Sequence, residues 1–510
     1  MRLFSILLSQ LAVILSNAEP KVKLGKTILY GTHSPGWDGV ERFAGIPYAE
    51  PPLGRGRFMP TSLMATLSVL QFNATQFGPG CLQQDATGEI SEDCLTINVF
   101  RPSNICAKDR LPVMFYIHGG DFIAGASSLY DGSALVARSI ERGTPTIYAN
   151  VNYRLGPFGF PQGREAISKG SLNIGLKDQL LGLQWVKQNI LAFGGDPSKV
   201  TVFGESAGAH SVDIHILGPS LKNLARGAII QSSYRDPQFD SLHWEPAWQT
   251  FVPSIPQCSG QTNTTHTFSC LQNVSNTNLL LEAWAAASAQ YGNLCFNPVI
   301  DGPEGLMVDL LSQVTPKSPL PVMIGSTKDE GTLFVPQDTN SSEVIRDYII
   351  VLSTPSPRGQ AALEAAADLV LEFYPNDPSK GSPFGTGNET FGVGIQYKRY
   401  AAVLGDFAFE WHRRSFSRYM SSEAHVPTFA YKFQDPDASP PAGIGALFPP
   451  GSLGVCHASD VAYMMPSSAL GRTLNSTSAE TLSKQMMDYW ISFAVSLDPN
   501  DGLGSGRPVG

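Results

Sequence analysis

Beyond residue 18 the chain has no run of about 18 apolar residues, so no membrane-spanning helix and no transmembrane anchor are expected. It lacks any C-x-x-C pair and any histidine spacing that suggests a metal, and neither a metal nor another cofactor is expected. No basic cluster offsets the net charge of −9, which argues against a nucleic-acid partner. Internal repeats are absent as well. What is present is 510 residues with 42% hydrophobic content, enough to bury a large core. Met1-Arg2-Leu3, an apolar run to Leu15 and then Ser16-Asn17-Ala18 read as a signal peptide over 1–18, so a secreted, extracellular protein is expected. In that compartment seven cysteines imply disulfides plus one left over. The N-x-S/T sequons at Asn73, Asn263, Asn273, Asn340, Asn388 and Asn475 become candidate glycosylation sites there.

Residues 203–210 read F-G-E-S-A-G-A-H, and Gly204-Glu205-Ser206-Ala207-Gly208 within them is a G-x-S-x-G string. Residues 199–203 form a β-branched run that reads as a strand, and 209–217 are apolar enough to begin a buried helix. A strand turning sharply into a helix leaves the serine exposed at a strained tip, and only small neighbours allow so tight a turn. Five residues with two glycines also arise by chance, so a nucleophile at Ser206 requires further parts. One is an oxyanion hole. Leu111–Ile117 reads as a buried strand running into His118-Gly119-Gly120-Asp121-Phe122. Glycines there let backbone N–H groups face a tetrahedral oxyanion, although an ordinary glycine turn has the same composition. Its place upstream of the elbow is the one this chemistry requires.

An acid and then a histidine must follow the serine. Residues 320–325 read as another buried strand, and Ser326-Thr327-Lys328-Asp329-Glu330-Gly331 comes directly after it. Asp329 and Glu330 should point different ways, and the residues alone do not choose between them. Three histidines follow. His412 lies in a charged helical stretch that reads as surface, and His425 stands shortly before Pro427 and a strand. His457 sits in a loop of small residues, 454–460, from which an imidazole can reach a nucleophile, and it is the preferred base.

Residues 146–153, 225–231 and 428–433 also read as strands. Residues 175–193 and 480–495 read as helices, the first with Leu176, Leu180, Leu183 and Ile190 on one face. Such alternation implies an α/β chain whose largely parallel sheet is covered by helices. The Pro/Gly-rich stretches 354–358 and 435–444 read as surface loops rather than linkers, since core strands lie on both sides.

Several strings point further. They are F-A-G-I-P-Y-A-E-P-P at 43–52, S-E-D-C-L at 91–95 with Asn98-Val99, and F-G-G-D-P at 193–197. With the elbow, D-E-G at 329–331 and the loop 454–460, the chain resembles the type-B carboxylesterase/lipase family of α/β-hydrolases. Y-P-N-D-P at 374–378 and G-S-P-F-G at 381–385 are similar to its fungal lipase and sterol esterase branch. The resemblance implies an α/β-hydrolase fold, a large mostly parallel sheet flanked by helices, as a single domain over 19–510.

The same resemblance assigns Glu330 as the triad acid beside Ser206 and His457. It makes the N–H groups of Gly120, Asp121 and Ala207 the oxyanion donors. Asp121 departs from the commoner G-G-G-F: the backbone N–H survives, but a carboxylate beside an oxyanion is unfavourable unless it points away. Cys81 with Cys94 and Cys258 with Cys270 match family disulfides, which leaves Cys106, Cys295 and Cys456. The implied reaction is ester hydrolysis through an acyl-enzyme, with a small-molecule ester as substrate.

Rival readings are a non-catalytic adhesion protein, a choline-ester hydrolase and a true lipase or sterol esterase. Adhesion relatives lose a triad member, whereas all three are present here. Choline esterases need an aromatic residue in the loop between the first cysteine pair, and L-Q-Q-D-A-T-G-E-I-S-E-D has none. In the fungal lipases that loop is long and carries an amphipathic lid helix. Twelve polar, acidic residues with Gly88 among them can form at most a turn or two, and Leu82 and Ile90 alone give no useful apolar face. An open site acting on short-to-medium acyl or bulky hydrophobic esters is therefore expected. The usual C-terminal tail is expected to be missing after G-S-G-R-P-V-G at 504–510, leaving an apolar edge uncovered.

Overall fold

The computed structural model describes residues 19–503 except 85, 87, 236–238, 262–265, 310–313, 354–357, 442, 467–473 and 475. The expected signal peptide, the sequons at Asn263 and Asn475 and the segment 504–510 lie outside the described residues.

Nine strands form the central sheet. They are β1 (Thr32–His33), β2 (Val40–Pro47), β3 (Thr96–Pro102), β4 (Leu111–Ile117), β5 (Ile147–Val151), β6 (Gly195–Glu205), β7 (Gly227–Gln231), β8 (Val322–Thr327) and β9 (Thr428–Phe433). Their spatial order is β9-β8-β7-β6-β4-β5-β3-β2-β1. From β9 across to β5 every neighbour pair is parallel; β5 with β3, β3 with β2 and β2 with β1 are antiparallel. This is the α/β-hydrolase arrangement.

The parallel strands are apolar on both faces because both are covered. Along β4, Val113, Phe115 and Ile117 point into one core cluster with Leu176, Leu183 and Val186 of the helix Ile174–Asn189. Met114 and Tyr116 alternate into the other cluster, against Trp490 and Phe493 of the helix Thr477–Ser496. The strand period of two thus serves two layers of helix at once. Parallel strands also bring their carboxyl ends to one edge, where α/β sheets hold their ligands. That edge carries His118 after β4, Ser206 after β6, Ser232 after β7 and Glu330 after β8.

Candidate active site

Ser206 stands between the last residue of β6 and the helix Ala207–Leu217, with φ 56° and ψ −126°. A non-glycine residue held there is strained, and the turn around it leaves no choice of neighbour. A Cβ on Gly208 would lie 2.0 Å from the carbonyl oxygen of Ile117, and one on Gly204 would lie 2.5 Å from the carbonyl carbon of Gly208. Ser206 N–H donates to the Gln231 carbonyl at 2.9 Å, tying the tip to β7.

Across the edge, His457 Nδ1 lies 2.6 Å from Glu330 Oε2, and both residues are buried. The other carboxylate oxygen of Glu330 accepts from Ser232 Oγ at 2.6 Å and from Thr327 N–H at 2.6 Å. Its neighbour Asp329 faces elsewhere. It accepts from Ser382 Oγ at 2.9 Å, Phe384 N–H at 2.8 Å and Val455 N–H at 3.0 Å, so it ties two loops together, one of them leading to His457. The adjacent carboxylates thus have different partners: Glu330 faces the imidazole and Asp329 braces its loop.

His457 Nε2 lies 3.1 Å from Oε1 of Glu205, the residue directly before Ser206. Sequence reasoning passed over Glu205 although it occupies the first variable place of the elbow string. Burial alone would lower the imidazole pKa, but the carboxylates of Glu205 and Glu330 outweigh burial and raise it to about 9. The rings of Phe334 and Phe409 each pack 5.0 Å from the imidazole. Phe334 is 47% exposed, so this wall of the site meets solvent.

The other two histidines are elsewhere. His425 is exposed. His412 is not the surface residue its charged helix suggests: its side chain is 12% exposed and its Nε2 lies 2.7 Å from the buried Asp213. A partner 199 residues away on the elbow helix draws it inward.

The loop after β4 carries three consecutive positive φ values, 111° at Gly120, 55° at Asp121 and 60° at Phe122. Ala124 N–H closes it by donating to the Gly120 carbonyl at 2.9 Å. A Cβ on Gly119 would lie 3.0 Å from Ser206 Cβ, so this loop runs directly past the serine. Ala207 opens the elbow helix, where an N–H has no intrahelical acceptor. The Asp121 carboxylate accepts from Tyr234 OH at 3.2 Å.

Cys81–Cys94 and Cys258–Cys270 are disulfides, and Cys106, Cys295 and Cys456 lie outside them. The described residues between Cys81 and Cys94 contain no helix. Gln83 exchanges two hydrogen bonds of 2.9 Å with the backbone of Gly125. Arg57 grips Glu92 with two bonds of 2.5 and 2.6 Å and reaches the carbonyls of Leu271 and Val274, and Leu82 is buried. Among the described residues no helix is long and apolar enough to cross a membrane, and no His/Cys/Asp/Glu group is arranged to hold a metal.

Sheet order, elbow and carboxyl-edge site define an α/β-hydrolase. The carboxylesterase family model matches residues 18–508, and the chain belongs to that family of carboxylic ester hydrolases. It is 34% identical to "Secreted lipase 1" of Botryotinia fuckeliana over 91% of this chain and 83% of that protein. It is 33% identical to "Lipase 2" of Diutina rugosa over 92% and 86% of the two chains. The crystal structure of Aspergillus niger EstA superposes with a TM-score of 0.79 at 26% identity, covering 96% of this chain and 91% of that one.

Proposed function

We propose that the chain is a secreted serine esterase, one catalytic domain from residue 19 onward, that cleaves dissolved short-to-medium acyl esters and bulky hydrophobic esters through an acyl-enzyme. The observation that carries this reading is the strained Ser206 tip on the same sheet edge as the buried His457–Glu330 pair at 2.6 Å. Ser206 Oγ attacks the ester carbonyl as His457 takes its proton, and Glu330 orients the imidazole and stabilises its charged form. The N–H groups of Gly120, Asp121 and Ala207 receive the oxyanion, the alcohol leaves with the proton from His457, and water repeats the cycle. A non-catalytic role has no support in a missing triad member, since the sequence keeps Ser206, Glu330 and His457.

Two disulfides and relatives named as secreted lipases support export. Glycans are proposed at the exposed Asn73, Asn273, Asn340 and Asn388, and at Asn263 and Asn475 on their sequons alone. The lipase names of the relatives favour a second reading, a true lipase or sterol esterase. Against interfacial activation stand the Cys81–Cys94 loop, stapled and without helix among its described residues, and the exposed Phe334. Rate measured against tributyrin concentration across its solubility limit separates the two. Smooth saturation is expected, and a sharp rise at the limit would make the enzyme a lipase with another segment as lid.

A further inference from the structure

We propose that Asp121, turned by Tyr234 towards the aromatic wall and away from the oxyanion position, is a charge-selecting subsite for the part of the substrate that lies along that wall, which favours substrates carrying a cationic group there and rejects those carrying an anionic one. The inference rests on Ser206 being the nucleophile. Asp121 follows Gly119-Gly120, and Gly119 lies against Ser206 Cβ, so its side chain hangs from the segment nearest the reacting carbonyl. The backbone at this position, φ 55°, suits glycine best, yet the sequence places a carboxylate on it.

Tyr234 OH donates to Asp121 Oδ1 at 3.2 Å. Its ring stacks 5.0 Å from the buried His210 and lies 5.8 Å from Phe409, which packs against His457. Asp121 is thereby anchored to the aromatic wall that ends at the base. A phenol is a neutral donor, so this bond fixes the direction of the carboxylate without cancelling its charge. Glu205 adds a second buried carboxylate beside His457. Tyr234 stacks on His210, and Phe334 and Phe409 stack on each other at 5.7 Å, so a cation has only their outer faces to meet.

The test uses two series of 4-nitrophenyl or hexanoyl esters, with trimethylammonium, its neutral isostere tert-butyl, or carboxylate placed on the acyl arm in one and the alcohol arm in the other. In wild type, kcat/KM for the cationic ester should exceed that for the anionic one by about tenfold or more in at least one series, the size expected of one charge at close range. Salt should shrink the ratio. Asp121→Asn should bring it close to one, and Asn tolerates the left-handed backbone, so the fold should survive. Asp121→Gly provides a second variant for the same reading. Tyr234→Phe, which removes the directing donor and keeps the charge, should weaken the preference without abolishing it, and an unchanged ratio would show that Tyr234 does not direct the carboxylate. A ratio near one in wild type for both series overturns the subsite, as does a ratio that survives in both Asp121 variants. Failure of wild type to hydrolyse the neutral tert-butyl esters would instead count against Ser206 esterase chemistry itself.

Discussion

The inner half of the site and its rim are held in different ways. Inside, the residues stand at strand ends or on loops bonded to them, and Glu330 receives two hydrogen bonds of 2.6 Å while itself facing His457. At the rim, the Cys81–Cys94 loop is stapled through Gln83 and Arg57 to loops on either side of it. Elsewhere the chain leaves Phe334 47%, Leu369 52% and Phe373 75% exposed. Two jobs are divided between them: the sheet edge sets the chemistry, and the loops set what reaches it. A loop closed by a disulfide and bonded again beside each cysteine is a staple, and it is poorly suited to be a flap.

The largest effects belong inside. Ser206→Ala and His457→Ala should each lower kcat by about 10⁴–10⁶ with the melting temperature little changed, because the residues act as a unit. Glu330→Gln should lower it by about 10³–10⁴. Comparable kcat losses from substitutions confined to the Cys81–Cys94 loop would erase the distinction between the two halves.

Next comes pH. In the proposed mechanism His457 must be neutral to accept the Ser206 proton, and its pKa is raised to about 9 by Glu205 and Glu330 against the opposing effect of burial. The kcat/KM profile should therefore climb by about tenfold per pH unit through neutrality and level off near that pKa. Glu205→Gln removes one charge that holds the proton, so the rising limb should move to lower pH. The same shift has a stability side. A folded pKa above the unfolded value stabilises the protonated state, so this contribution is complete below about pH 6.5 and is lost as pH rises through about 9. A pH–rate profile already flat at neutral pH would contradict the charge environment described for His457.

Smaller again is Asp329→Asn. Its carboxylate receives three hydrogen bonds from two loops, so replacing it should lower stability by about 1–3 kcal/mol, read by denaturant unfolding, while kcat falls far less than for Glu330→Gln. The reverse order of activity loss would reverse the two carboxylates. Smallest is Gln83→Ala at the rim. Losing its bonds to Gly125 should lower stability by about 1 kcal/mol and leave turnover of dissolved esters unchanged. A jump in tributyrin hydrolysis in that variant would show that the loop is a flap after all.

Legibility in the sequence followed the same division. Apolar runs and periodicity marked β4 and β9 residue by residue, and the elbow string marked the strand–serine–helix turn. The strand before the elbow begins earlier than its β-branched core, at Gly195, because Gly195 pairs with Leu111 of β4 ahead of a register shift at Val200. What stayed hidden was non-local. His412 reads as surface from its charged neighbours and is drawn partly inward by Asp213, 199 residues away. The partner that directs Asp121 is Tyr234, 113 residues away, and nothing near either residue announces the other. Asp329 and Glu330 are distinguished only by what surrounds each: Ser382, Phe384 and Val455 for one, Ser232 and His457 for the other.

The central claim is that Ser206 is the nucleophile of an ester hydrolase whose site stands open in water. It is tested most directly by treating the dissolved wild-type protein with an organophosphonate serine probe, without any lipid surface, and mapping the adduct by peptide mass spectrometry. One adduct on the peptide containing Ser206, absent from Ser206→Ala and accompanied by loss of esterase activity, is the expected result. An adduct on another residue that abolishes activity, or no adduct at all on protein that remains folded, would contradict it.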